Sequence, residues 1–259
     1  MTSLAQEFQS NPYVDTGALF INGLTLAYAT ATTLTVKAGS CRDSTNSYSM
    51  TTAADLTLNT AVKGANGLDT GTLAASTLYW VFSIGDLQQF NAPATLLSLS
   101  STTPTMPSGY SLIRRIGRIL TDGSSHILSF TSSGQSNTKF IQFATPVSVL
   151  AGGSSATFAA VNLLLGMPGG SVTYATPVYL NAIYTPALAA NTASIRPTGS
   201  AATATNCPVE LKSNVNAVAV KYTMTKVLPG ISSGNLSIDY AVTASDALSL
   251  SVAAYEESL

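Results

Sequence analysis

After residue 20, hydrophobic residues recur at every second position along most of this chain. A period of two is what a pleated strand buried on one face requires, because successive side chains point to opposite sides of a sheet. In the run 217–227, Val218, Val220, Tyr222 and Met224 fall on one face, with Lys221, Thr223 and Thr225 on the other. The run 235–243 sets Leu236, Ile238, Tyr240 and Val242 opposite Ser237, Asp239 and Ala241, and 247–252 repeats the pattern. These three runs predict a C-terminal meander. Gly, Pro, Asn and Asp clusters separate the runs at the intervals typical of sandwiches and barrels. The predicted class is all-β.

The run 131–137 holds no apolar residue and contains a glycine, which is linker composition. It divides the chain into an N-terminal arm (1–20, with a short helix expected near its start), a β-rich module (21–131) and a C-terminal β-sandwich (138–259). Two β-sandwich-like domains joined by a short polar linker are therefore predicted, each long enough to bury a core.

Only 9% of the residues are charged, 46% are hydrophobic and the formal net charge is −1. No basic footprint exists to displace counterions, so nucleic acid is not an expected partner. So little charge also leaves apolar surface that other subunits are expected to cover, and a homo-oligomer, with a trimer favoured, is predicted. The N-terminus has no basic segment followed by an apolar core, and no run approaches about 18 uninterrupted apolar residues, so neither secretion nor membrane insertion is expected.

Chemistry-bearing motifs are sparse. His126 is the only histidine, which excludes multi-histidine metal sites and leaves a serine-type triad one possible base. Its neighbours Asp122 and Ser124 fit a hairpin turn better, because Asp-Gly supplies the required positive φ angles. The run 230–234 matches the G-x-S-x-G elbow, but a strand pattern follows it where the elbow needs a helix. Asp-Thr-Gly occurs twice, at Asp15 and Asp69, the signature of aspartic proteases, in which two carboxylates share a proton. The copies are too close for a two-lobed enzyme, and Asp69 follows a turn-rich run, so an Asx-type turn is the better reading and protease activity a minority alternative. Cys41 and Cys207 make neither a disulfide framework nor a metal site by count. No enzyme activity, cofactor or metal is expected.

The sparing use of charge makes one stretch conspicuous: Arg114, Arg115 and Arg118 lie within 109–128. As a strand, 111–120 sets Arg114 and Arg118 on the face of Leu112, Ile116 and Leu120, and Arg115 on the other with Ile113 and Ile119. Diverging guanidiniums make no phosphate patch. Held among isoleucines they need carboxylates, and Asp43, Asp69 and Asp86 are the local supply, for ion pairs within or between subunits. Among the aromatics, Tyr174, Tyr179 and Tyr184 sit near Asn, Ser and Thr and suit contact with a host-surface glycan, although strands enrich aromatics by packing alone.

Across roughly 36–128 the order of motifs resembles a module of β-rich virion proteins of tailed bacteriophages, found in tail-fibre-like and head-fibre-like appendages. The matching elements are Arg42-Asp43-Ser44, Gly67-Leu68-Asp69-Thr70-Gly71, the aromatic strand around Tyr79 and Trp80, Pro107 with Gly109 and Tyr110, and Arg114-Arg115. The resemblance covers near a third of the chain. It implies a structural virion protein, most plainly a trimeric tail fibre or host-attachment component that contacts other virion proteins, with a capsid-decorating head fibre or cement protein as the alternative. It carries no catalytic residues.

Overall fold

The computed structural model describes residues 20–134, 137–166, 176–232 and 235–259, and these form an all-β protein. The N-terminal arm up to residue 19, with Asp15, lies outside the described residues, as does Tyr174.

Two small antiparallel sheets open the fold. One orders β1 (Ile21–Gly23), β4 (Gly39–Arg42) and β5 (Ser49–Thr52), the other β2 (Leu26–Thr30), β3 (Thr33–Val36) and β6 (Leu56–Asn59). A third sheet has the order β10-β8-β9-β7, from β7 (Gly67–Leu68), β8 (Leu78–Gly85), β9 (Ala94–Ser98) and β10 (Leu112–Leu120). Here β7 and β9 run parallel and the other pairs antiparallel. Strand β8 is buried on both faces: Tyr79 and Val81 join the main core, while Trp80, Phe82 and Ile84 build a second cluster with Ala94 and Leu96. A strand covered on both sides loses the alternation seen elsewhere.

The second half supplies two five-stranded antiparallel sheets. The first orders β11 (Phe130–Ser133), β12 (Thr138–Gly153), β20 (Ala247–Ser258), β14 (Val178–Thr185) and β17 (Val220–Val227). The second orders β13 (Ala159–Gly166), β19 (Asn235–Val242), β15 (Thr192–Pro197) and β16 (Val209–Lys212), with β18 (Gly230–Ser232) also paired to β19. The inner faces meet in one core, for example Val178, Leu180 and Tyr184 from β14 with Leu236, Ile238 and Tyr240 from β19. Each such side chain contributes about 1.5–3 kcal/mol by leaving water.

Several expectations change. Within the polar run 131–137, Thr131, Ser132 and Ser133 are not bare linker but pair with Gln142, Ile141 and Phe140. It is polar because β11 is an edge strand, and composition alone does not separate such a strand from a tether. The segment is also tied back to the first half, since Ile21 N donates to Asn137 Oδ1 at 2.8 Å and Thr25 Oγ1 to the Gly134 carbonyl at 3.1 Å. The apolar core runs unbroken from Ile21 to Tyr255 across the expected boundary.

The three C-terminal runs form no meander, because β17 and β20 flank β14 in one sheet while β19 lies in the other. Met224 leaves its predicted face: with φ at +52° beside a register shift in β17, it turns to solvent. In β19 the polar face is buried as well, for Asp239 accepts from Arg196 Nε at 3.1 Å and Thr198 Oγ1 at 2.8 Å, and Ser237 Oγ donates to the Val161 carbonyl at 3.0 Å.

Candidate functional site

The arginine stretch is a strand, β10, followed by the expected hairpin. Asp122 Oδ1 accepts from Ser124 N at 2.8 Å and His126 N at 2.9 Å, Ser125 takes the positive φ, and Leu128 N returns to the Leu120 carbonyl at 2.9 Å. The faces differ from regular alternation. Arg115 stands opposite Phe82 and Gly117 opposite Val81, so Ile116 is an extra residue in β10. A bulge of this kind shifts every later side chain to the other face. Arg118 therefore joins Arg115, not Arg114, and both guanidiniums lie over the Trp80 ring, at 5.3 Å for Arg115 and 5.7 Å for Arg118.

A second irregularity completes the arrangement. In β20, Val252 pairs with Leu180 and Ala254 with Tyr179, which leaves Ala253 as the extra residue. Leu248, Leu250 and Val252 point inward before it, and Tyr255 and Glu257 after it. Glu257 Oε1 meets Arg118 Nε at 3.4 Å with both side chains almost wholly buried, and Arg118 lies 4.6 Å from the Tyr255 ring centre. The Tyr255 hydroxyl donates to the Arg118 carbonyl at 3.4 Å, and the Arg118 backbone hydrogen-bonds the Glu257 carboxylate. Two side chains of β20 thus cap the open edge of β10. On β12, Lys139 stands directly across from Glu257 and donates to the Gly23 carbonyl at 2.6 Å and Thr25 Oγ1 at 3.2 Å.

This is an ionic seam between the two halves: Arg115, Arg118 and Lys139 surround one carboxylate. Burial pushes the Glu257 carboxyl above its ordinary range, against the pull of Arg118, Arg115 and Lys139. Burial likewise lowers Lys139 and Arg115, with Glu257 opposing it in each.

Arg118 thus meets a carboxylate outside the expected set. Asp43 is near Arg114, whose charge it favours, and its oxygens also hold their own turn: Ser47 N at 2.8 Å, Tyr48 N at 2.7 Å and Thr45 N at 3.1 Å. Asp69 accepts from Thr70 N at 2.7 Å, Ser98 Oγ at 2.6 Å and Thr105 N at 3.0 Å. Asp86 accepts from Gln88 N at 2.8 Å and from Phe90 N and Asn91 N at 3.0 Å. Asp43 and Asp86 find donors within their own turns, whereas Asp69 takes two of its donors from segments 29 and 36 residues away. Sequence reasoning missed Glu257 and Lys139, and it named Trp80 only in its aromatic strand, not as a partner of the arginines.

No family model and no curated protein matches this chain.

Of the tyrosines proposed for glycan contact, the two among the described residues, Tyr179 and Tyr184, are not brought together. Tyr179 points outward, donating to Glu256 Oε1 at 2.7 Å beside Lys226. Tyr184 is fully buried and donates to Asp246 Oδ2 at 2.5 Å, so its ring offers no platform to a sugar. Their spacing of five residues puts them on opposite faces of β14. The Asp69 carboxylate ties its turn to Ser98 and Thr105, and among the described residues no cluster of His, Cys, Asp and Glu could hold a metal ion. His126 is exposed at the hairpin tip, 3.6 Å from Asp122. The elbow-like run begins as β18 and is followed by β19. Cys41 and Cys207 are free thiols, and burial pushes Cys41 up to about 11. Among the described residues no helix is long and apolar enough to cross a membrane.

Two of the segments that carry the resemblance touch, and a third is held by its neighbours. Ser44 N and Oγ both donate to the Ile113 carbonyl, at 2.7 and 2.8 Å, beside Arg114. Tyr110 Oη reaches the Ala92 carbonyl at 3.0 Å, and Asn91 Nδ2 the Gly109 carbonyl at 3.3 Å.

Proposed function

We propose that this chain is a structural, non-enzymatic virion protein of a tailed bacteriophage, a trimeric tail fibre or host-attachment component. The observation that carries the reading is the convergence of the resembling motifs: the Asp43 turn docks on β10 beside Arg114, and Trp80 lies under Arg115 and Arg118. Such a scaffold needs no reactive geometry, and the all-β build, the low charge and the inward-turned carboxylates suit a packed particle component. In this reading the halves 21–131 and 138–259 work as one unit through Arg118 and Glu257, and Asp69 has a turn-forming role. Contact with other virion proteins, and with a host glycan if the protein is terminal on the tail, belongs to the same proposal.

Intact particles labelled with antibody against this chain test it in the electron microscope. Label on the tail supports the reading, label on the capsid favours a head fibre or cement protein, and unlabelled particles that contain no such chain by mass spectrometry overturn it.

A further inference from the structure

Exposed aliphatic side chains gather at one end of the sheet that contains β14 and β17. Leu188 is 60% exposed, Val215 53% and Val218 50%, and Ala190, Ala217 and Ala219 beside them are exposed as well. The two loops that carry them touch: Ala217 N donates to the Pro186 carbonyl at 2.8 Å and Ala189 N to Asn216 Oδ1 at 2.6 Å. Both are anchored from below. Asp246 accepts from Ala187 N at 2.7 Å and Asn191 Nδ2 at 2.8 Å, and Ser213 Oγ accepts from Val215 N at 3.2 Å. An apolar knob with a pre-ordered backbone loses little freedom when it is covered.

What covers it is indicated by charge. No Asp, Glu, Lys or Arg occurs in 185–195 or in 213–220, while Lys212 and Lys221 stand at the border. A surface on a rotation axis meets copies of itself, so any charge there would face its own like, and an aliphatic centre with a charged rim is what such an axis tolerates. We infer that this tip is the self-association surface of the chain, where second and third copies meet about the axis. The inference rests on the trimer proposed above.

Light scattering on the purified full chain tests it. The wild type is expected at three times the chain mass of 26.6 kDa. Leu188→Asp and Val218→Asp should each lower the mass threefold, whereas Leu99→Asp, at a turn 62% exposed in the other half, should leave it unchanged. Circular dichroism checks that each variant melts cooperatively. Should the Asp variants fail to fold, Val218→Cys takes their place: oxidation should link copies into a covalent pair on a non-reducing gel. Folded Asp variants that keep the trimeric mass, or a folded Val218→Cys trimer that does not cross-link, overturn the inference and leave the trimer standing. A monomeric wild type overturns both.

Discussion

Arg118 in β10 and Glu257 in β20 face each other at 3.4 Å because each strand contains one extra residue. Regular alternation would send Arg118 to the side of Arg114 and turn Glu256, not Glu257, inward. Register irregularities are usually described as local defects; here a pair of them builds a buried ion pair between strands of the two halves.

Removing one partner of a buried pair strands the other charge, so Glu257→Ala should lower stability by about 3–5 kcal/mol. Replacing both partners with apolar residues, Arg118→Met with Glu257→Leu, should match or exceed wild-type stability, since neither charge then has to be desolvated. Urea unfolding read by the fluorescence of Trp80, the only tryptophan, measures both. A loss below about 1 kcal/mol for Glu257→Ala would mean that solvent reaches the pair.

Asp43 gives the protein an acid limb. Burial raises its carboxyl, but hydrogen bonds from Thr45, Tyr48 and Ser47 outweigh this and hold it below its ordinary value of 3.8. A depressed folded value means stability that is present above about pH 4 and lost as pH falls through the folded value. Thermal melts from pH 6 to pH 2 should show a decline that is shallower in Asp43→Asn. Parallel declines in the two proteins would remove Asp43 from the account.

Tyr184 and Tyr179 should separate cleanly. Tyr184→Phe takes one of the donors from the buried Asp246 carboxylate and should cost about 1–3 kcal/mol. Tyr179→Phe, at a surface position, should change stability by less than about 0.5 kcal/mol. Equal effects in denaturant titrations would contradict the assigned faces.

The two thiols should react in a fixed order. Cys41 is buried and its thiol is pushed up to about 11, whereas Cys207 is partly exposed. Native protein treated with a chromogenic disulfide at pH 8 should modify Cys207 first, with Cys41 reacting only after denaturant is added. Prompt modification of both would place Cys41 at the surface.

Fold class was legible because alternation is a property of side chains alone: β14 buries Val178, Leu180, Ala182 and Tyr184 as a period of two demands. Lys139 was missed although a signal was present, since it stands in the same alternating set as Ile141 and Phe143, all three buried. Glu257 was not legible, since nothing in the local composition marks Ala253 as the extra residue. Nor was the pairing of β11 with β12, where serines and threonines on an edge look like a tether. Asp69 was recognisable as a charge in a turn and Asp86 only as a possible arginine partner, but where such a carboxylate finds its donors depends on distances that only the folded backbone sets.

Strand β20 lies between β12 and β14, and its Tyr255 and Glu257 reach the edge of β10. It follows both of these neighbours, and β10 as well, in sequence. Until β20 docks, Arg118 and Lys139 lack their carboxylate, and the inward faces of β12 and β14 have no strand between them. Folding dominated by contacts so distant in sequence is slow. An intermediate without β20 in place leaves those faces open to chaperones, or to sister chains, until the strand docks.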